Sequence, residues 1–424
     1  MKQLFVPLLL ILLPFSVLGQ LESLDQNPEY TFTPELMLGI SAEANENFPE
    51  RDLQKQFILN FGRKHTNNFQ EWAYRLKAPR TGLSIGYTYL GNSRELGDVV
   101  TIMPYLEFNT FRQENLTLLV GMGGSFFTRI WDPVSNPANQ AITTRVTWSF
   151  RAFMHYRFLT SEKMDYRIGV GYFHHSNGHT KLPNQGLNSF LVSLSADLKK
   201  TGNEGDRNLS EPKTEFKRNV YDYISIRGGL GQNVLGTADV FNDKKNVYTL
   251  AGEYGKVFNK TLKIGIGFYY RFYEHYYDYI NNNEFLVRDG EEFDFFRENP
   301  WKYATNYGIS LGAELLLNHV SLEMQLGYNI HKPAYQIDWR LNEGWDNTPR
   351  EIPEGFMLGE FDGKFKRKRA VAARMGLKYY LLGTNAVPKH NVYVGAHINA
   401  NLGQADFSAI TMGYVYSFNY KERN

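Results

Sequence analysis

The stretch VGYFHHSNGHTKLPNQGLNSFLVS, Val170 to Ser193, sets His174 two residues before Ser176 and carries Asn188 twelve residues further on. Histidine exchanges a proton near neutral pH. A serine hydroxyl becomes a nucleophile when such a base lies within hydrogen-bond reach and a third group holds the ring. That use requires the segment to be a hairpin. In MDYRIGVGYFHHS one parity is Tyr166, Ile168, Val170, Tyr172, His174 and Ser176; in the returning strand Asn188, Phe190, Val192, Leu194 and Ala196 form the apolar face. Residues i and i+2 on one strand face lie about 7 Å apart and a paired strand about 5 Å away, so His174, Ser176 and Asn188 are expected to converge on one wall. The wall is otherwise apolar, and polar side chains cost free energy beside hydrocarbon, so packing alone gives them no reason to be there. The competing reading puts His174 and Ser176 in the polar headgroup zone, where such residues are tolerated.

The elements that must position these residues are strands. In RVTWSFRAFMHYRF one face is Val146, Trp148, Phe150, Ala152, Met154, Tyr156 and Phe158, against Arg145, Thr147, Ser149, Arg151, Phe153, His155 and Arg157. One face suits lipid and the other water. The same period of two returns in Leu262 to Tyr270, Leu322 to Tyr328, Val392 to Ile398 and Ile410 to Phe418. Repeated segments of about 10 alternating residues with aromatic ends are the signature of an outer-membrane barrel. A soluble β-sandwich is the rival fold, but Arg151, Lys263, Glu314, Glu323, Arg374 and Lys378 on the inner face argue against a dry core.

Composition agrees. The 424 residues include 28 Tyr, 30 Phe and 37 Gly at a mean hydropathy of −0.42, and past the N-terminus no apolar run reaches the length of a transmembrane helix. With 46 basic against 44 acidic residues, nothing points to a nucleic-acid partner. Residues 1–19, with Lys2, an apolar run from Leu4 to Leu13 and small or polar residues around Gly19, form an expected secretory signal. No cysteine follows it, which excludes a lipid-anchored cysteine and a disulfide framework.

About sixteen strands are expected in residues 20–424, beginning near 35, 55, 81, 98, 116, 144, 164, 187, 220, 246, 261, 303, 320, 369, 390 and 406; allowing for miscounts, the range is 12–16. The fold class is all-β, a transmembrane antiparallel barrel. If the first strand runs outward, the long connections 231–245, 275–302 and 331–368 share the outer side, opposite short ones such as 159–163 and 317–319. Connections 63–80 and 199–219 break that rule. The second, KKTGNEGDRNLSEPKTEFKR, is a charged linker between the hairpin 164–198 and a second half, 220–424. A single barrel is the expected architecture, with two fused eight-stranded barrels the alternative.

The series His174, His175, Ser176, Asn177, Gly178, Lys181, Pro183, Asn184, Gly186, Asn188 resembles the active-site hairpin of outer-membrane lipid esterases in two versions. One is the PagL-type lipid A 3-O-deacylase, with H-x-S-N followed by P-N-x-G-x-E, whose glutamate position is occupied here by Asn188. The other is outer-membrane phospholipase A, with H-x-S-N-G and an asparagine twelve residues after the serine. Lys181, Pro183, Asn184 and Gly186 follow the deacylase, and Gly178 and Asn188 the phospholipase. The resemblance implies catalysis by Ser176, His174 and Asn188, with Asn177 and Gly178 at the oxyanion. Phospholipase resemblance also implies calcium, but its loop serine corresponds to Asn184, so no cofactor is expected. The close resemblance covers about 25 residues. The second half has the broad look of long acyloxyacyl hydrolases, with GLKYYLLG and HINANLGQADF as its closing hairpin.

These readings combine into a bacterial outer-membrane serine esterase that removes an ester-linked acyl chain from lipid A. The alternatives are a phospholipase acting on glycerophospholipids and a porin-like, non-enzymatic barrel with a relic motif. A metal at His175 and His179 is disfavoured, since one points inward and the other lies in a loop. The basic run KFKRKR, Lys364 to Arg369, is a solvated surface or a contact for lipid A phosphates. A homodimer and the identity of the departing chain are left open.

Overall fold

The computed structural model describes residues 28–110, 115–198, 216–236, 242–341 and 363–423. The expected signal and nearly all of the linker therefore lie outside the described residues. Sixteen antiparallel strands form, in order β1 (Glu29–Ser41), β2 (Gln54–Lys64), β3 (Arg80–Tyr89), β4 (Asp98–Asn109), β5 (Leu116–Phe127), β6 (Val146–Thr160), β7 (Met164–Ser176), β8 (Leu187–Leu198), β9 (Arg218–Asn233), β10 (Lys245–Phe258), β11 (Leu262–Tyr273), β12 (Thr305–Leu317), β13 (Val320–His331), β14 (Val371–Tyr380), β15 (His390–Asn401) and β16 (Gln404–Arg423).

They close as two barrels, β1–β8 and β9–β16, rather than the single barrel expected. The physical cause is visible in the register. Leu36 and Met37 of β1 pair with Leu194 and Ser193 of β8, so the eighth strand returns to the first and leaves no edge. Eight strands enclose a lumen that side chains alone can fill.

In the first barrel the filling is a charged network. Glu35 accepts from Arg151 Nη2 at 3.2 Å and from His155 Nε2 at 2.7 Å, and Arg167 bonds Glu107 at 2.6 Å. Beside it Met37, Ile58, Met103, Leu119, Phe153, Phe173 and Leu191 pack as an apolar layer. The second barrel is filled likewise, with Lys263 and Lys378 on Glu314 at 3.0 and 2.9 Å and Lys378 on Glu323 at 2.6 Å. Alternate residues on the outside, such as Ile168, Val170, Phe190, Val192 and Leu194 in the first barrel and Ile264, Ile266, Leu311 and Leu326 in the second, stand exposed as an apolar belt. A closed barrel satisfies its backbone hydrogen bonds between strands, which lets such a belt face hydrocarbon. Among the described residues no helix is long and apolar enough to cross a membrane.

The connections at one end of the first barrel bear on the site. At that end Phe48, Leu90, Leu96, Val99, Phe127, Ala141, Ile142 and Leu187 make a compact apolar cluster. Ala141 of this cluster accepts the Gly186 N–H at 3.1 Å, which ties the loop after β7 to it. The exceptional connection between β2 and β3, at the opposite end, is ordered around a short helix, Glu71–Arg75, whose Trp72 and Ala73 are buried.

Candidate active site on the outer wall

β6, β7 and β8 hold the site. β7 sets Phe173 and His175 toward the lumen and Tyr172, His174 and Ser176 on the other face. His175 Nδ1 lies 2.8 Å from Ser149 Oγ inside the barrel, as its parity requires. On the lipid-facing side His174 is paired directly with Asn188 of β8 and with Phe150 of β6, while Ser176 stands opposite Trp148. The three polar residues thus occupy one wall, at the end of β7 where the chain turns back.

His174 and Asn188 meet in a hydrogen bond of 2.7 Å between Nδ1 and Oδ1. An amide oxygen only accepts, so the proton sits on Nδ1 and the lone pair is left on Nε2, the tautomer a general base needs. Tyr172, two residues before His174, donates its hydroxyl proton to the same Oδ1 at 2.5 Å. Its ring lies nearly parallel to the imidazole, with an interplanar angle of 12° and centroids 6.3 Å apart.

Ser176 and Asn177 are buried. Asn184, in the loop, donates from Nδ2 to Ser176 Oγ at 3.0 Å and accepts the Asn177 N–H on Oδ1 at 3.0 Å. Ser176 Oγ also lies 3.4 Å from Asn184 Oδ1, to which it donates. Asn184 therefore ties the serine to the turn behind it.

Gly186 explains another part of the motif. Its φ of +75° is in the left-handed region, and a Cβ placed on it would lie 3.1 Å from His174 Cε1. Glycine lets the backbone lie against the imidazole. The N–H groups of Gln185 and Gly186 donate to Gln140 and Ala141 at 3.2 and 3.1 Å, so the loop between β5 and β6 braces this turn. Gly178 and His179 both have a φ of +66°, and the loop includes a cis Leu182–Pro183 peptide. Asn177 and Gly178 directly follow the serine in the chain. His175 and His179 do not share a cluster: among the described residues no three His, Asp or Glu side chains converge as a metal would require.

Sequence reasoning passed over three of these contributions. Tyr172 is on the right parity but belongs to neither motif; Asn184 and Gly186 belong to the motif, but their contacts depend on how the loop folds. The parity of Tyr172 was the one signal that could have singled it out.

Residues 35–197 match a family model described as lipid A 3-O-deacylase (PagL), and residues 219–341 match one described as acyloxyacyl hydrolase, C-terminal domain. A crystal structure of the outer membrane enzyme PagL aligns at 14% identity over 38% of this chain and 97% of that chain, with a TM-score of 0.28. A de novo designed transmembrane β-barrel aligns at 12% identity over 41% of this chain and 99% of the design, with a TM-score of 0.23. Pseudomonas putida OprB at high pH aligns at 11% identity over 92% and 94% of the two chains, with a TM-score of 0.18. No curated protein matches.

Proposed function

We propose that this chain, whose residues 35–197 match the lipid A 3-O-deacylase (PagL) model and whose residues 219–341 match the acyloxyacyl hydrolase C-terminal model, both of ester hydrolases, removes an acyl chain from lipid A in the bacterial outer membrane through Ser176, His174 and Asn188. The observation that carries this reading is the 2.7 Å bond from His174 Nδ1 to Asn188 Oδ1 on the wall that also bears Ser176.

In the proposed reaction Ser176 Oγ attacks the ester carbonyl as its proton passes to His174 Nε2. The bond between carbonyl carbon and alkoxy oxygen then breaks, and the imidazolium returns the proton to the departing sugar hydroxyl. Water, deprotonated by the same ring, releases the fatty acid and regenerates the serine. Asn188 keeps the imidazole in its working tautomer and bears on the positive charge that develops there. The side-chain amide of Asn177 and the N–H of Gly178 are assigned to the oxyanion, a role for which a single donor is typically worth about 10²–10³ in rate. The groups this scheme uses all belong to the chain, so it needs no metal.

The lipid-facing wall is where an acylated substrate is already concentrated, which fits a site built on the barrel's exterior. Filled lumens in both barrels speak against a channel. Asn188 in place of a carboxylate, together with Gly178, supports the phospholipase reading. Lipid A mass spectra from cells carrying wild type and Ser176→Ala test the proposal: the wild type should lose the mass of an acyl chain and the variant should not. Identical spectra would reject it, while cleavage of glycerophospholipids alone, abolished by a calcium chelator, would favour the phospholipase.

A further inference from the structure

The geometry points to Tyr172 as a positioning residue that fixes the amide of Asn188, and through it the tautomer of His174; the inference rests on the proposed esterase site. Asn188 Oδ1 takes two protons, one from His174 Nδ1 at 2.7 Å and one from Tyr172 Oη at 2.5 Å. The two donors come from one strand, two residues apart, and meet the acceptor from the strand paired with it. This convergence leaves Oδ1 with both lone pairs engaged.

The requirement follows from the difference between an amide and a carboxylate. A carboxylate at position 188 would present two equivalent acceptor oxygens, so its rotation by half a turn changes nothing. An amide has one accepting and one donating end. If Asn188 turned over, Nδ2 would face the imidazole, and His174 would have to move its proton to Nε2, which is the atom the mechanism needs free. A phenol donates more readily than it accepts, because the ring draws on its oxygen lone pairs. Tyr172 therefore weights the rotamer with Oδ1 toward the histidine. Half-buried on an apolar wall, the pair has little water to supply a substitute donor. Tyr172 is thus the companion that an asparagine at this position needs and a glutamate does not.

The experiment compares four forms of the full chain in detergent, acting on purified lipid A: wild type, Tyr172→Phe, Asn188→Glu and the double variant. Tyr172→Phe keeps the ring on the wall and removes only the donor. It should lower kcat about five- to tenfold with KM unchanged, the size of effect that one net hydrogen bond supports. In the Asn188→Glu background the same change should alter kcat by less than about twofold. Equal losses in both backgrounds, or no loss in the wild-type background, would overturn the inference.

The tautomer itself is read without turnover, by ¹⁵N spectra of histidine-labelled protein in micelles. Wild type should hold His174 with its proton on Nδ1, and Tyr172→Phe should show a mixture; an unchanged tautomer would overturn the inference. Release by Ser176→Ala at the wild-type rate would instead reject the esterase reading, and the ¹⁵N comparison would still decide the role of Tyr172.

Discussion

Replacing Asn188 with alanine removes the acceptor from His174 and leaves the rest of the wall in place. In the resting site the lost contact is the 2.7 Å bond to Nδ1. As Ser176 gives up its proton the ring becomes an imidazolium, and hydrogen bonds to charged groups are worth roughly 1.5–3 kcal/mol. At about 1.4 kcal/mol per decade, kcat should fall about 10- to 150-fold. Tyr172 loses its acceptor in the same variant, which pushes the result toward the upper part of that range. KM should stay nearly constant, because Asn188 is assigned no contact with the acyl chain. Fatty acid released from lipid A in mixed micelles, measured under saturating substrate, separates the two parameters. Asn188→Glu restores an acceptor and should recover most of the loss. A kcat for Asn188→Ala within about twofold of wild type would refute the assignment. It would leave His174 and Ser176 as ordinary headgroup-zone residues.

Three further outcomes follow from the geometry. Gly186→Ala would set a Cβ 3.1 Å from His174 Cε1 at a φ of +75°, a backbone state that costs a non-glycine residue roughly 1–2 kcal/mol, so kcat should drop about tenfold or more while heat-modifiable migration on gels is kept. Glu35→Ala would strand Arg151 and His155 in the first lumen, and loss of one partner from a buried ion pair costs about 3–5 kcal/mol; a urea unfolding midpoint equal to wild type would contradict that. Burial pushes the Lys332 ammonium, which lies beyond the end of β13 and bonds Asn401 at 2.6 Å, from 10.5 down to about 8. Between those values the unfolded chain binds the extra proton, so this group makes stability rise as pH climbs from about 8 toward 10.5. The rise should be smaller in Lys332→Met, and parallel pH profiles of the two proteins would count against it.

Period two made the strands legible, because side chains on a barrel wall alternate between lipid and a filled lumen. Expected starts near 98, 116, 164, 187, 320 and 390 coincide with those of β4, β5, β7, β8, β13 and β15. Alternation names the two faces of a strand but not its neighbours. Nothing in Leu187–Leu198 alone distinguishes pairing with Glu29–Ser41 from pairing with the strand that begins at Arg218, and the choice between one barrel and two rests on that pairing. The long first-barrel connection at 63–80 obscured the parity of the turns, although a buried Trp72 gives it a structural reason to be long.

Within the site the outcome is similar. Same-face placement of His174 and Ser176 and the pairing of His174 with Asn188 follow from strand parity and a hairpin register, both local. Asn184 and Gly186 act through a loop braced by residues 140 and 141, some forty positions earlier, and no local pattern encodes that brace. Tyr172 reads from sequence as one more aromatic on a lipid-facing wall; only the distance from its hydroxyl to Asn188 distinguishes it from Phe190 beside it.

The proposed reaction turns on Ser176 becoming a nucleophile as His174, oriented by Asn188, takes its proton. A lipid-soluble fluorophosphonate, which phosphonylates activated serines, tests this when the modified peptide is mapped by mass spectrometry. A single adduct on Ser176 is expected, lost in His174→Ala and slowed in Asn188→Ala. An unlabelled Ser176 in protein that cleaves lipid A, or labelling indifferent to His174, would contradict it.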